Sequence, residues 1–211
     1  MTTSIIIVDD FLDNAEEIRA AALTLDYPDV TQKTAYPGRN SRQKLYISGL
    51  DETVSRLVGE PVAAQRTRTS HANCRLTLKD ESGSRNVHID SSDWSGVLYL
   101  NRPGDCRGGT DFFRHKPTGT ERAPLHRAEL ESLGYSGFRD VLDNILEPDS
   151  NNPEQWEHIM RIPMRFNRLV LLRPWHWHNA GPSFGTGVDD GRLIYLMFFD
   201  TPTPAWNPIG M

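Results

Sequence analysis

The chain has 211 residues and a formal net charge of -5, with 23 Lys and Arg against 28 Asp and Glu. This length fits one domain with its own core, and the acidic balance argues against nucleic acid as a partner, because phosphate binding requires a basic surface. We find no apolar run near the roughly 20 residues that span a bilayer and no signal-peptide pattern, so we expect a cytoplasmic protein that does not insert into a membrane. We expect Cys74 and Cys106 to be reduced.

The N-terminal part of the chain predicts one strand and two helices. The apolar run IIIV at 5–8 predicts a strand, and the Ala and Leu residues after it recur with helical spacing. Residues 28–48 contain prolines and a glycine and predict a loop, while 51–58 predicts a second helix.

From residue 71 onward the pattern changes to short extended segments, each bounded by Gly, Pro, Asn, Asp or Ser. The segments are ANCRLTLKD, NVHID, SGVLYLN, GTDFFRHK, RLVLLRPWHWH and RLIYLMFFD. Such an array predicts a mainly β chain with flanking helices, arranged as a sandwich or barrel. Residues 121–160 predict helices, so we expect a single domain over 1–211 with a helical insertion at about 115–160.

The segment NVHID carries the first candidate for chemistry. His88 and Asp90 are separated by Ile89, and alternate side chains of a strand project to the same face. An imidazole and a carboxylate on one face are two possible metal ligands, although such a pair also occurs as an ordinary hydrogen bond. A third ligand from elsewhere in the chain is therefore required.

The segment NRLVLLRPWHWHNAGP supplies two candidates for that ligand, His176 and His178. Two imidazoles and one carboxylate suit non-haem Fe(II), because they leave coordination positions open. The cysteines lack CxxC spacing, which argues against structural zinc. On a regular strand both histidines would face the same side, so alternation does not separate them.

An arginine, Arg192, opens the apolar strand that follows a Gly- and Asp-rich turn. If the strands on both sides of the turn pair as a hairpin, Arg192 lies near His178. A buried guanidinium needs an anionic partner. That partner is either a ligand or, alternatively, the side chain of Asp189 or Asp190.

Together the segments HID, GVLYLN, RGGTDFF, NRLVLLRPWHWHNAGP and GRLIYLMFFD resemble the Fe(II)- and 2-oxoglutarate-dependent oxygenases, closest to the prolyl-hydroxylase-like branch. The resemblance covers about residues 86–114 and 166–200, and more weakly the opening IIIVDDFL. It implies a double-stranded β-helix core, which is a jelly-roll or cupin-like fold. Residues 115–160 have no counterpart.

The family motifs fall on five residues of this chain. The HxD motif falls on His88 and Asp90, and the distal histidine falls on His178, which three residues separate from a proline in HNAGP. The resemblance implies that these three hold Fe(II). It also implies that Arg192 and Tyr99 hold the far carboxylate of 2-oxoglutarate.

The resemblance implies a hydroxylase that uses O2 and 2-oxoglutarate to oxidise an unactivated C–H, with release of succinate and CO2. We expect a small-molecule or amino-acid-like substrate, free or carrier-bound; desaturation and cyclisation are variants. Two other classes stay open: a metal- or ligand-binding sensor without turnover, and a cupin-like metal-dependent isomerase or hydrolase. The sequence predicts neither the substrate itself nor the oligomeric state.

Five residues are candidates for substrate contacts, each with an ordinary structural role as the alternative. Arg75 is preferred, since its strand position could face the barrel interior. The others are Asn86 beside the metal motif, Trp177 and His176 near the distal histidine, and Arg39 in the loop.

Overall fold

The computed structural model describes residues 3–29 and 34–202. Its strands form two antiparallel sheets, with a cavity lined by residues of both. The strands are β1 Ile5–Val8, β2 Arg39–Lys44, β3 Ala63–Ala64, β4 Asn73–Thr77, β5 Trp94–Tyr99, β6 Gly109–His115, β7 Trp156–Pro163, β8 Leu169–Leu172, β9 His178–Asn179 and β10 Arg192–Asp200. The larger sheet has the order β1-β8-β5-β10-β4-β2, with β3 also paired to β10, and the smaller sheet has the order β7-β6-β9.

Helices cover the outer faces of the two sheets. They are α1 Ala15–Leu23, α2 Leu50–Val58, α3 Arg127–Ser132, α4 Phe138–Val141 and α5 Glu147–Asp149, with a π-helical turn at Leu142–Leu146 between the last two. The predicted strand at 5–8 and the predicted helix at 51–58 are confirmed. The helix ends at Gly59, whose φ of +76° is a conformation that glycine adopts without steric cost. No helix within the described ranges is long and apolar enough to cross a membrane.

The larger sheet separates an apolar core from the cavity, because its side chains alternate between two faces. On β10, Leu193, Tyr195 and Met197 belong to a core that also contains buried residues of α1 and α2. The residues between them, such as Ile194, lie on the opposite face and line the cavity. The fold therefore gives β10 a helix-covered side and a side available to ligands.

A second core joins the smaller sheet to the helical segment. Trp156 of β7 packs against Trp177, with ring centroids 5.7 Å apart, and both lie in a buried cluster with Leu130 and Val141. The buried His115 at the end of β6 contacts the carboxylate of Asp149 at 3.0 Å. These contacts attach the helices to one side of the sheet.

Two strands occupy segments that the sequence assigned to other structure. β2 lies within the predicted loop 28–48; its polar sequence RNSRQK suits an edge strand, and β2 pairs with β4 at the end of the larger sheet's strand order. β7 lies partly within the predicted helical insertion, and it pairs along the whole of β6. In both segments, hydrogen bonds to a neighbouring strand stabilise the extended conformation, and the pattern of apolar residues does not reveal such pairing.

The predicted hairpin between the strands on both sides of residues 180–191 is wrong. β9 pairs with β6 in the smaller sheet, whereas β10 lies between β5 and β4 in the larger sheet. The connecting segment therefore crosses from one sheet to the other. The two cysteines are free thiols, as expected.

Truncating Leu171 tests the helix-covered core. This side chain on β8 is fully buried, so we expect Leu171→Ala to lower the free energy of unfolding by about 2–5 kcal/mol through lost burial and a residual cavity. The matched control, Ile7→Ala, removes a side chain that is 48% exposed and should cost less than about 1 kcal/mol. Chemical denaturation measures both; equal values for the two variants would contradict the assignment of this core.

Candidate metal centre

Backbone hydrogen bonds bring the two distant histidines together. The N–H of His88 donates to the carbonyl of His178 at 2.9 Å, and the N–H of His178 donates back at 3.1 Å. Asp90 is attached separately, through its N–H to the carbonyl of Pro174 at 3.2 Å. The segment NVHID, which was predicted as a strand, instead forms one isolated antiparallel bridge, between His88 and His178. That bridge sets the position of both imidazoles.

Three side chains converge at one point. The Nε2 atom of His88 lies 3.6 Å from Oδ1 of Asp90, and Nε2 of His178 lies 3.5 Å from Oδ2 of the same carboxylate. One ligand atom from each of the three residues lies within 4.8 Å of the others. A single cation can therefore contact all three groups after small side-chain adjustments.

The hydrogen bonds of both rings define which nitrogen is available. Nδ1 of His88 lies 2.8 Å from the carbonyl oxygen of Asn86, and Nδ1 of His178 lies 2.8 Å from that of His176. A carbonyl oxygen only accepts, so each Nδ1 donates its hydrogen and each neutral ring keeps a lone pair on Nε2. This second interaction is the usual way in which proteins orient a metal-binding imidazole.

The charge states suit a divalent cation. Burial, together with the neighbouring His178, lowers the pKa of His88 to about 4, so this ring is neutral at physiological pH. Burial would raise the pKa of Asp90, but the two imidazoles and the hydroxyl of Ser95 outweigh it and hold that pKa at about 2. The Ser95 hydroxyl donates to Oδ2 of Asp90 at 2.6 Å. The site thus presents two imidazole nitrogens and one carboxylate.

The three ligands open into a cavity of about 150 Å³ between the sheets. Its apolar wall comes from the inner face of the larger sheet. The residues of that wall are Val97, Leu172, Ile194, Leu196 and Phe198. Arg192 enters the same cavity from the first position of β10 and is only 2% exposed.

No carboxylate lies within ion-pair distance of Arg192 in the described part of the chain; Asp111, whose charge acts on it from further away, is paired with Arg161. Its Nε has no hydrogen-bond partner there. The carboxylate of Asp190, one of the two alternatives considered, accepts instead from the backbone N–H groups of Thr186 and Gly187. Asp189 contributes its carbonyl to Arg19. A buried, unpaired guanidinium facing a cavity is the electrostatic feature expected of an anion site.

Tyr99 lies beside this guanidinium, but it is not among the residues that line the cavity. The Arg192 guanidinium is 5.9 Å from the centre of the Tyr99 ring. The Tyr99 hydroxyl lies 2.7 Å from the hydroxyl of Thr110, and Thr110 lines the cavity. Burial raises the pKa of Tyr99, so the phenol keeps its proton. Either hydroxyl of this pair can orient the other toward a ligand.

The remaining predicted residues divide into two groups. Arg75 and Asn86 line the cavity, whereas Arg39 forms ion pairs with Asp29 and Glu81 outside it. Trp177 and His176 also lie outside the residues that line the cavity. Trp177 is fully buried and donates to the Thr120 hydroxyl, and the ring of His176 lines a separate surface cleft.

Sequence reasoning missed several residues of the site. Tyr36 lines the cavity, and its ring centroid lies 4.3 Å from that of His88. Ser95 and Thr110 also line it, as does Asn179, which donates to the side chain of Asn86 at 2.7 Å. Ser95 could have been found, because alternation on β5 puts it on the same face as Tyr99. Nothing local marks Tyr36, which lies in a predicted loop.

Solved structures share this fold at low sequence identity. HygX from Streptomyces hygroscopicus, crystallised with nickel and 2-oxoglutarate, is 15% identical, covers 95% of this chain and 84% of its own, and gives a TM-score of 0.52. The α-ketoglutarate-dependent epimerase SnoN of nogalamycin biosynthesis is 15% identical, with coverages of 99% and 82% and a TM-score of 0.53. The carbocyclase SnoK of the same biosynthesis is 12% identical, with coverages of 93% and 79% and a TM-score of 0.53.

These similarities confirm the predicted mainly β fold with a double-stranded β-helix core, the fold of the Fe(II)- and 2-oxoglutarate-dependent oxygenases. Among curated proteins, none matches the chain significantly. A family model described as "Family of unknown function (DUF6445)" matches residues 1–199, and the chain therefore belongs to that family.

Proposed function

We propose that this protein is an Fe(II)- and 2-oxoglutarate-dependent dioxygenase that hydroxylates an unactivated C–H of a small-molecule or amino-acid-like substrate. One observation carries the proposal: the ligand set His88, Asp90 and His178 shares a cavity with Arg192, a buried arginine with no carboxylate within ion-pair distance in the described ranges. The first feature suits a metal, the second suits a carboxylate, and 2-oxoglutarate needs both.

The donor chemistry fits ferrous iron. Two neutral imidazole nitrogens and one carboxylate on one side of a cation leave the opposite positions open, which suits non-haem Fe(II). Neither cysteine belongs to this ligand group, and the three residues offer fewer ligands than a closed structural zinc site. His88, Asp90 and His178 would hold the iron, and Ser95 would keep the carboxylate oriented.

Arg192 is suited to the far carboxylate of 2-oxoglutarate. Its guanidinium offers a planar set of donors that matches a carboxylate, and burial strengthens the pairing because the surroundings screen charge poorly. The hydroxyls of Thr110 and Tyr99, 2.7 Å apart, would add a hydrogen-bond donor beside it. These residues would bind and orient the cosubstrate along the inner face of the larger sheet.

When bound, the iron and 2-oxoglutarate supply the oxidation of a C–H by O2, with succinate and CO2 as coproducts. The chain contributes orientation and exclusion of water. The backbone carbonyls of Asn86 and His176 keep both imidazoles in the tautomer that presents Nε2. The aliphatic and aromatic wall of the cavity, with Leu196 and Phe198, shields the reacting groups from solvent.

Two other classes remain testable alternatives. A sensor without turnover would bind iron and 2-oxoglutarate but form no succinate. A metal-dependent isomerase or hydrolase would act without O2 or 2-oxoglutarate, with Arg192 contacting the substrate directly. The buried Arg192, which lines the same cavity as the metal ligands and has no ion-pair partner among the described residues, favours the oxygenase over this last class.

Formation of the iron–cosubstrate complex tests the ligand assignment. Adding Fe(II) and 2-oxoglutarate under anaerobic conditions should produce a weak visible charge-transfer band, because the ketoacid chelates the metal. We expect Asp90→Ala and His178→Ala to abolish the band. His176→Ala is the matched control and should retain it, since its ring faces another cleft. A band lost in His176→Ala but kept in His178→Ala would reverse the assignment.

Replacing Arg192 tests the carboxylate site. Truncating one partner of a buried charge pair costs about 2–5 kcal/mol, so Arg192→Leu should weaken 2-oxoglutarate binding by at least about 30-fold. Binding of the metal alone should change little, which separates this effect from unfolding. Anaerobic titration of the protein with Fe(II) alone, followed by titration of the Fe(II) protein with 2-oxoglutarate, measures both. The control Arg127→Leu removes an exposed arginine of α3; equal affinities in the two variants would defeat this role for Arg192.

Removing the Ser95 hydroxyl tests the orientation of Asp90. Groups that hold a metal ligand in place typically account for 10–100-fold in metal affinity, so Ser95→Ala should weaken Co(II) binding by at least about tenfold. Ser132→Ala on the exposed side of α3 is the control and should match the wild type. Calorimetric titration with Co(II) gives the values, and an unchanged Ser95→Ala affinity would mean that Asp90 needs no such support.

A further inference from the structure

A second guanidinium lines the cavity and is not used by the proposed metal and cosubstrate sites. Arg75 lies on β4, next to β10, and register pairs Arg75 with Ile194 and Thr77 with Arg192. The two arginines are therefore diagonal neighbours on the same face of the sheet. Backbone positions at that spacing are about 7–8 Å apart. Both line the cavity.

The hydrogen bonds of Arg75 engage four of its five N–H groups but do not neutralise its charge. Nε donates to the carbonyl of Pro37 at 2.8 Å, Nη1 to the side-chain oxygen of Asn40 at 3.1 Å, and Nη2 to the carbonyl of Tyr36 at 2.9 Å and, more weakly, to that of Gly38 at 3.4 Å. All four acceptors are uncharged. Of the five N–H groups of a guanidinium, this leaves one on Nη1 free.

No acidic side chain of the described residues lies within ion-pair distance of Arg75. Glu81, whose charge acts on it, is ion-paired with Arg39, which also pairs with the exposed Asp29. Asp90 is the acidic residue among those that line the cavity, and it serves the metal site. Burial and the neighbouring Arg192 lower the pKa of Arg75 to about 10, so the group still carries its charge at neutral pH.

The charge of the loaded cavity points to an anionic substrate. In the sum over the loaded cavity, the two charges of ferrous iron would cancel those of the 2-oxoglutarate dianion, and the charge of Asp90 at the metal would cancel that of Arg192. The charge of Arg75 is then left over in a largely buried wall. An uncompensated buried cation is costly, and an anionic ligand removes that cost by pairing with it.

We propose that Arg75 is the anion-binding residue of the substrate site and that the substrate carries a carboxylate, as an amino-acid-like molecule does. This inference rests on the proposed function, because it assigns the charge that remains after iron and 2-oxoglutarate are bound. A monocarboxylate matches the single leftover charge and the single free N–H. A phosphate dianion would exceed the charge and require more donors than Arg75 has free.

Matched acids and amides test the proposal. The protein loaded with Ni(II) and 2-oxoglutarate is titrated calorimetrically with the N-acetyl derivatives of glycine, alanine, leucine and phenylalanine, each as the free acid and as the primary amide. Loading is verified first, so failure to bind 2-oxoglutarate would count against the proposed function and not against Arg75. We expect at least one acid to bind tenfold or more tightly than its amide.

Three variants separate the charge of Arg75 from its support of the loop. Arg75→Gln keeps a polar side chain without charge and should lose the preference for acids. Arg75→Lys keeps the charge and should retain it. Asn40→Ala removes an anchor of the same loop but leaves the cation, so it too should retain the preference.

Four results would overturn the proposal. They are amides that bind as tightly as acids, a series in which no acid binds, an acid preference that survives in Arg75→Gln, and a preference that is also lost in Asn40→Ala. If Arg75→Gln weakens 2-oxoglutarate but leaves the acid preference intact, Arg75 belongs to the cosubstrate site and the proposal fails.

Discussion

The pair of backbone hydrogen bonds between His88 and His178 is the constraint on which the site depends. These residues are far apart in the chain, and side-chain attraction between two neutral imidazoles would not hold them together. The backbone bridge does so without using either Nε2 atom. The same peptide segments then supply the carbonyls that accept from both Nδ1 atoms. Position and tautomer of the rings therefore have a common origin in local backbone pairing.

The cavity differs from most protein interiors in its balance of charges. Buried charges are normally paired, yet Arg192 and Arg75 line one face of the cavity with no carboxylate within ion-pair distance among the described residues, and burial together with the charge of Arg192 lowers the pKa of Arg75. The remaining sheet is conventional, with an apolar face against α1 and α2. Under the proposed function, bound anions would compensate these two charges.

Much of the fold followed from local patterns, because the short apolar runs of β5, β8 and β10, bounded by turn residues, indicate buried strands directly. The ligand pair His88 and Asp90 was also visible, since their spacing alone puts them on one side of an extended segment. β2 and β7 were not visible. Their polar sequences become strands through hydrogen bonds to β4 and β6, and a backbone partner leaves no mark on side-chain periodicity.

The sequence by itself determined the chemical inventory of the site: an HxD pair, a distal histidine and an arginine on an apolar strand. Tertiary structure decided which candidates share a cavity. His176 and His178 are equivalent on a regular strand, but β8 ends at Leu172 and the chain between it and β9 is irregular, so their rings diverge. Arg192 reaches the cavity from β10 in the larger sheet, and Tyr36 reaches it from a loop. Such convergence depends on long-range strand pairing and loop paths, which local residue patterns do not encode.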